Sequence, residues 1–238
     1  MTEPNAQYNL AKPDSLSIRV ATQVRTRMFA AFMQEFAPLA SETILDVGVT
    51  SDQSYTSSNY LEALYPYKDR ITAAGIDDAS FLETLYPGMT FTFANALDLP
   101  FPDGSFDLVH SSAVLEHVGS FGNQTKMVEE CLRVARRGAC ITTPNRWFPI
   151  EFHTQLPLIH WLPKPLCRAI FRKSGYAFFA DEGNLNLMTE AELRRVMTRF
   201  PAYSYSFAPT RLWGWTSNLV LMVHKIASEA HTRVPERE

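Results

Sequence analysis

Side chains suited to proton transfer occur in two short segments of the sequence. The first contains the adjacent pair Glu116 and His117, and the second contains Glu151 and His153 two residues apart. Histidine changes its charge near neutral pH, so its ring can act as a general base. A packing or helix-start role for His117 is the alternative. The neighbouring elements must then bring these groups to one site.

A second group of polar residues and glycines follows short apolar runs that predict β-strands. The first run ends at Asp46 and Gly48, the second ends at Asp77, and Asn95 follows the third. In open α/β sheets, ligands bind outside the carboxyl ends of the strands. A carboxylate at that edge can accept two hydrogen bonds from a ribose diol, as in dinucleotide sites. The pattern predicts a ligand site at the carboxyl edge of a parallel sheet.

Strand and helix patterns alternate over the first 145 residues, which predicts an α/β fold. We expect a Rossmann-like, doubly wound sheet, mostly parallel with an antiparallel C-terminal edge hairpin, and a helical and aromatic insertion after the fifth strand. Strands are predicted at 43–48, 71–76, 90–93, 106–110, 139–142, 203–207 and 219–223. Helices are predicted at 18–36, 59–65 (capped by Ser57 or Ser58), 81–85, 124–136 (ended by Gly138) and 189–197.

The same pattern divides the chain into five parts. Residues 1–40 are predicted to be an arm (1–14) and an amphipathic cap helix, on which Arg19, Arg25, Arg27 and Glu35 face water. Residues 41–145 form the cofactor-binding core, 146–188 an acceptor-side insertion or lid, and 189–227 the remaining helix and strands of the core. Residues 228–238 are a polar tail.

Composition limits the classes of function. Apolar residues make up 46% of the 238 residues and the formal net charge is −3, so no overall basic field favours nucleic acid. The three cysteines are far apart, which argues for a reducing compartment and against zinc. No signal peptide and no apolar run of the ~20 residues that span a bilayer is visible. We expect a cytoplasmic protein, with peripheral membrane contact through the aromatic and basic segment 147–173 as an option.

Four segments together resemble the class I S-adenosylmethionine-dependent methyltransferases, in particular the type 11 and ubiquinone-biosynthesis-like branch. They are Ile44-Leu45-Asp46-Val47-Gly48, Gly75-Ile76-Asp77, the run from Ala94 to Val109 that contains Leu99-Pro100-Phe101-Pro102-Asp103-Gly104, and Leu115-Glu116-His117-Val118. The resemblance covers about residues 40–145. Its most specific part is the run from Leu99 to Val109 together with Leu115-Glu116-His117-Val118.

The resemblance implies S-adenosylmethionine as the cofactor and a set of residues that bind it. The set is Asp46, Gly48, Thr50, Ser51, Asp77, Asp78, Asn95, Ala96, Leu97, Ser111 and Ser112. After Gly48 the family usually has further glycines, whereas this chain has Thr50 and Ser51, whose hydroxyls we expect to replace those backbone contacts. Some relatives hold magnesium with an acid three positions before the Glu-His pair. That position is Ala113 here, so no metal is predicted.

The predicted activity is transfer of a methyl group to a small-molecule or lipid- or sugar-type acceptor (EC 2.1.1.-). We expect His117, Glu116 and His153 to be catalytic. Acceptor contacts are predicted for Arg146, Trp147, Glu151 and His153. The altered glycine loop motivates an alternative, a non-catalytic binding or scaffold protein of the same fold. A nicotinamide dehydrogenase is disfavoured, since G-x-G-x-x-G does not follow the first strand. The sequence is silent on oligomeric state.

Overall fold

The structure is a computed structural model that describes residues 16–53 and 57–226. The predicted arm at 1–14 and the predicted polar tail at 228–238 lie outside the described residues. Within the described part, eight strands form one sheet.

The sheet has the expected mixed topology. The strands are β1 (Ile44–Val47), β2 (Ile71–Gly75), β3 (Thr90–Phe93), β4 (Phe106–Ser112), β5 (Ala135–Pro144), β6 (Tyr203–Phe207), β7 (Thr210–Leu212) and β8 (Trp215–Lys225). Their order is β3-β2-β1-β4-β5-β8-β6, and β7 pairs with β8. The first five strands are parallel, while β8 runs antiparallel to β5, β6 and β7. The expected fold class is confirmed.

Helices cover both faces of the sheet. They are α1 (Leu16–Phe36), α2 (Tyr60–Leu64), α3 (Phe81–Leu85), α4 (Phe121–Val134), α5 (Lys164–Lys173) and α6 (Glu190–Met197). Apolar side chains of α4 and α6 pack in one core, and those of α1, α2 and α3 pack in another. Alternate residues of β1 belong to the two cores, Leu45 to the first and Ile44 to the second, as the period of two of a strand requires.

Gly138 was predicted to end a helix, and this prediction is wrong. The helix ends at Val134, and Gly138 lies inside β5, which begins directly at Ala135. A Cβ atom at Gly138 would lie 2.1 Å from the carbonyl oxygen of Val223 in β8. The glycine therefore permits close pairing of two strands, and the local sequence alone does not reveal a contact with a strand 85 positions away.

Two further local predictions differ from the structure. The residue preceding α2 is Asn59 rather than Ser57 or Ser58, and its side chain makes no cap hydrogen bond. Its amide instead donates to the carbonyl of Thr50 and accepts from the Thr50 N–H, so it fixes the loop after β1. Strand β7 was not predicted; it reaches β8 through Trp213 and Gly214, which both have positive φ, as tight hairpin turns require.

The segment after β5 has a small apolar core of its own around α5. Its buried members are Cys167, Phe171, Phe179, Ala180, Leu185 and Leu187. All three cysteines of the chain are buried and free. Among the helices of the described residues, none is long and apolar enough to cross a membrane.

Candidate active site

A cleft of about 420 Å³ opens at the carboxyl ends of the parallel strands. Its wall is formed by the ends of β1, β2 and β4, the turn after β3, and side chains from α1 and from the segment after β5. The lining residues include Arg25, Gly48, Thr50, Ile76, Asn95, Ala96, Leu97, Ser112, Ala113, Val114, His117, His153 and Gly183. Eight of the residues predicted for the site from sequence thus line one cleft: Gly48, Thr50, Asn95, Ala96, Leu97, Ser112, His117 and His153.

Gly48 forms the turn at the end of β1. Its φ is +96°, a conformation that side chains disfavour, and its N–H donates to the carbonyl of Ala74 at 2.7 Å. A Cβ atom here would lie 2.0 Å from Cγ2 of Val114, which lines the cleft. The glycine is therefore required by close packing against the turn after β4, a constraint that the sequence pattern did not reveal.

The turn after β3 supplies the opposite part of the wall. The N–H of Ala94 donates to the carbonyl of Gly75 at 2.9 Å, which joins this turn to the end of β2. The side-chain oxygen of Asn95 accepts from the N–H of Leu97 at 3.0 Å and closes the turn. Asn95, Ala96 and Leu97 consequently present a preformed surface to the cleft.

Two predicted cofactor residues, Asp46 and Ser111, do not line the cleft. Asp46 is 6% exposed, and its Oδ1 lies 2.6 Å from Nδ1 of His110 below the strand ends. Burial raises the pKa of Asp46 to about 7 and lowers the pKa of His110 to about 4. The hydroxyl of Ser111 donates to the carbonyl of Val47 at 2.8 Å. Both side chains are used inside the sheet, which corrects the sequence-based expectation.

Three other predicted cofactor residues lie beside the lining rather than in it. Asp77 is half-buried and directly follows Ile76, which lines the cleft. Asp78 is exposed and accepts a hydrogen bond from the N–H of Ser80 at the start of α3, which holds the pKa of Asp78 below its usual value. Ser51 directly follows the lining residue Thr50. Their roles in ligand binding stay predictions.

His117 and His153 line the cleft and lie close to the buried Glu116, although His153 belongs to the segment after β5. Oε1 of Glu116 lies 3.8 Å from Nε2 of His117, and the two imidazole rings are 4.9 Å apart between centroids. Glu116 is fully buried, and burial raises its pKa to about 7. Burial lowers the pKa of His117 to about 3, so its ring is neutral at pH 7.

Glu151 lies behind His153 and orients it. Its Oε1 accepts hydrogen bonds from Nδ1 of His153 at 2.6 Å and from the His153 N–H at 2.9 Å. Burial opposes charge on both groups, but their mutual attraction outweighs it. The pKa of Glu151 is consequently lowered to about 2, and the pKa of His153 is raised. Glu151 is 2% exposed, so it acts on the cleft through His153, which corrects its predicted direct contact with an acceptor.

Several known proteins that are similar to this chain are methyltransferases. A family model described as "Methyltransferase domain" matches residues 56–142. A probable S-adenosylmethionine-dependent methyltransferase from Mycolicibacterium smegmatis is 35% identical over 32% of this chain, and ajmaline N-methyltransferase from Rauvolfia serpentina is 41% identical over 43% of it. These alignments span only 30% and 32% of the two relatives' own length.

Solved structures of methyltransferases have the same fold as this chain. Magnesium protoporphyrin IX methyltransferase from Synechocystis, solved with bound S-adenosylhomocysteine, superposes with a TM-score of 0.58 at 15% identity. The superposition covers 92% of this chain and 91% of that protein. The resemblance to class I S-adenosylmethionine-dependent methyltransferases that the sequence motifs indicated is confirmed.

Arg146 and Trp147 do not line the cleft. The guanidinium of Arg146 donates to the carbonyls of His160 and Leu162, at 3.1 Å and 3.0 Å, and lies 5.5 Å from the ring centroid of Trp147. Trp147 is 48% exposed on the outer surface. The predicted acceptor contacts of both residues are therefore replaced by a role in holding the segment after β5 together.

Arg25 is a residue of the cleft that the sequence prediction missed. It was expected to face water, yet it is half-buried on α1, lines the cleft, and donates from Nη1 to the hydroxyl of Ser57 at 3.2 Å. The signal that could have revealed it is its position beside Val24, a buried residue on the packed face of α1. Arg25 gives the wall of the cleft a permanent positive charge.

Proposed function

We propose that the chain binds S-adenosylmethionine in the cleft and transfers its methyl group to a small-molecule or lipid- or sugar-type acceptor. The observation that supports this most is the single cleft, which joins the Gly48 turn and the Asn95–Leu97 turn to the imidazoles of His117 and His153. In class I methyltransferases the cofactor lies at these strand ends, as the switch-point rule for α/β sheets requires.

The charges and shapes along the cleft suit the parts of this cofactor. Asn95, Ala96 and Leu97 offer a turn with both polar and apolar groups for adenine, and Asp77 stands after β2 where it can reach a ribose diol. The cationic Arg25 suits the carboxylate at the methionine end, near Gly48 and Thr50. With the cofactor bound in this way, Ser112 and His117 would lie near the sulfonium methyl.

The acceptor end of the cleft suits a small molecule. The whole cleft measures about 420 Å³, and cofactor and acceptor must share it. Among the relatives, ajmaline N-methyltransferase and magnesium protoporphyrin IX methyltransferase bear the names of small-molecule acceptors.

We further propose that the protein acts in the cytoplasm. Contact of residues 147–173 with a membrane stays a prediction, which flotation with anionic vesicles at low salt would test.

The reaction itself needs mainly positioning. The bond between sulfur and methyl breaks while a bond from the acceptor atom to the methyl carbon forms, and S-adenosylhomocysteine leaves. Holding donor and acceptor in line removes much of the barrier, because a bimolecular encounter becomes a unimolecular step. We expect His117, Glu116 and His153 to orient the acceptor at this end, and a water-poor cleft to favour the approach.

Calorimetric titration with S-adenosylmethionine and with S-adenosylhomocysteine tests the cofactor. We expect a micromolar dissociation constant, which corresponds to about −8 kcal/mol. Replacement of Arg25 by Ala should weaken binding about tenfold, through loss of a charge-assisted contact. Replacement of the exposed Arg19 on the same helix is the matched control and should change nothing. If the folded protein gives no heat with millimolar ligand, the proposal that it binds the cofactor is overturned. If the Arg25 and Arg19 variants bind the cofactor equally well, the proposed contact of Arg25 with the cofactor carboxylate is overturned.

Formation of S-adenosylhomocysteine with a panel of phenolic, amine and lipid-linked acceptors tests the transfer. We expect His117→Ala to keep cofactor affinity and to lose turnover.

The loop Val49-Thr50-Ser51-Asp52, which lacks the family's further glycines, favours a second candidate, a cofactor-binding scaffold without catalysis. Tight cofactor binding without turnover over the whole panel would support that candidate and contradict the transferase.

A further inference from the structure

Glu116, His117 and His153 form a compact cluster of potential metal ligands. One ligand atom from each residue lies within 4.8 Å of the others. Glu116 has no exposed surface, and its Oε1 is buried without any hydrogen-bond partner. A buried carboxylate oxygen without a donor is costly, so its presence indicates that something else satisfies it.

Each of the three groups is also held by a neighbour on its other side. Nδ1 of His117 donates to the carbonyl of Asn184 at 2.7 Å, and Nδ1 of His153 donates to Glu151 at 2.6 Å. A carbonyl and a carboxylate can only accept, so in both rings the proton is at Nδ1 and the lone pair is at Nε2. The remaining oxygen of Glu116, Oε2, accepts from the Thr143 hydroxyl at 2.9 Å.

This double arrangement is typical of metal centres. Histidine ligands almost always donate their second ring N–H to a carboxylate or to a backbone carbonyl, which fixes the ring and the tautomer. Here one histidine has each kind of partner. If the two histidines and the buried glutamate served only for packing, their hydrogen bonds to Asn184, Glu151 and Thr143 would not need to leave Oε1 of Glu116 and the two Nε2 atoms close to one another.

We propose that Oε1 of Glu116, Nε2 of His117 and Nε2 of His153 bind one divalent first-row transition-metal ion, such as Zn²⁺ or Fe²⁺. Two imidazoles with one carboxylate favour these ions over Mg²⁺, which prefers oxygen ligands. Three protein ligands leave at least one coordination position open. Both histidines line the cleft, so this position faces the acceptor end, where an acceptor with an oxygen or nitrogen donor atom can occupy it.

The sequence could not have indicated this site. An acid three residues before Glu116 would have suggested a third ligand, but that position is Ala113, which has no ligand atom. His153 replaces it from the far side of β5, and only the fold brings it within reach. At bond lengths of ~2.1 Å, tetrahedral ligand atoms lie about 3.4 Å apart. Glu116 Oε1 and His117 Nε2 are 3.8 Å apart, and the three ligand atoms lie within 4.8 Å of one another, so the side chains must move inward by up to about 1.4 Å to complete the site.

Metal binding can be measured without any methyl acceptor or cofactor. The purified full-length chain is stripped with a chelator, dialysed, and titrated with Co²⁺ and with Zn²⁺, followed by the visible spectrum of Co²⁺ and by calorimetry. We expect one ion per chain and a rise in melting temperature, since an ion that binds only the folded state stabilises it. The same concentration of Mg²⁺ should have no effect.

Variants decide which residues hold the ion. His153→Gln and Glu116→Gln should each weaken Zn²⁺ binding at least about a hundredfold and abolish the cobalt spectrum. His224→Gln is the matched control, because His224 lies on β8 at the surface, paired with Glu35. Circular dichroism establishes that the variants are folded; if His153→Gln is not, Glu151→Gln, which removes only the outer partner, should weaken binding by about tenfold or more.

Three outcomes would overturn the assignment: no ion bound by the stripped folded chain, a response to Mg²⁺ alone, or equal affinity in His153→Gln and His224→Gln. Binding of S-adenosylmethionine to the metal-free chain is measured in parallel. It separates failure of the metal site from failure of the proposed cofactor site, because Gly48, Arg25 and Asn95 line the cleft and are not among the three proposed ligands.

Discussion

Replacement of Gly48 by alanine should destabilise the protein in a way that Val114 controls. The φ of +96° at this position costs a non-glycine residue about 1–3 kcal/mol. The added Cβ atom would also lie 2.0 Å from Cγ2 of Val114, and overpacking of this kind costs about 1–3 kcal/mol. We therefore expect Gly48→Ala to lower the free energy of unfolding by about 2–6 kcal/mol.

The double variant separates the two contributions. Val114→Ala removes Cγ2 and leaves only Cβ, 3.2 Å from the new methyl group, so the clash largely disappears while the strain in φ remains. Because Val114 is half-buried, its own truncation should cost about 1 kcal/mol. The double variant should then be more stable than the sum of the single changes predicts, by about 1–3 kcal/mol.

Urea unfolding monitored by tryptophan fluorescence gives all four free energies of the cycle. Gly122→Ala is the control for added methyl groups at glycine, because its nearest neighbour is the Ser120 hydroxyl at 3.5 Å and helix α4 favours alanine. This control should be neutral or gain up to about 1 kcal/mol. Strict additivity of Gly48→Ala and Val114→Ala would refute the packing argument, and an unchanged stability of Gly48→Ala would refute the whole account of the turn.

Three other changes should affect stability through separate causes. Burial raises the pKa of Glu62 well above its usual value, so the folded chain binds a proton that the unfolded chain releases. The free energy of unfolding should therefore fall as pH rises from about 4.5, by up to ~1.4 kcal/mol per pH unit. Urea midpoints measured between pH 5 and 8 should depend less on pH in Glu62→Gln. Arg133→Met should lower the free energy of unfolding in urea by about 2 kcal/mol, because Arg133 binds the buried carboxylate of Glu130 and the carbonyl of Leu99. A decrease below roughly 0.5 kcal/mol, the effect of an ordinary surface change, would contradict this role. Gly138→Ala should cost about 3 kcal/mol or more, since its methyl group meets a backbone oxygen of β8 at 2.1 Å, and a thermal midpoint equal to that of the natural chain would exclude the contact.

The sheet and its binding edge were predictable because they depend on local patterns. Apolar runs ending in Asp46, Asp77 and Asn95 marked strand ends, and parallel strands bring such ends to one edge whatever the details of packing. The same logic placed Gly48 correctly at a turn. It did not give the reason for the glycine, because Val114 approaches from another strand end.

The acceptor end of the cleft was predictable in its residue types and not in their arrangement. His117 and His153 were both selected as imidazoles near a site, yet their approach depends on the path of the segment after β5. Arg146 and Glu151 come from the same segment and turn inward to hold it. Sequence reasoning cannot tell which polar side chain of an irregular segment faces a cleft and which supports the backbone.

The position of β8 in the sheet has a consequence for how the chain is made. Strand β5 has a long, largely buried row of residues, and its outer edge is completed only by β8, about 80 residues later. At synthesis rates of 5–20 residues per second, that edge stays unpaired for roughly 5–15 s on the ribosome. A growing chain with an apolar strand edge exposed is a target for chaperones and for pairing with other nascent copies. Slow codons between the two strands should therefore lower the soluble yield, whereas slow codons after β8 should not.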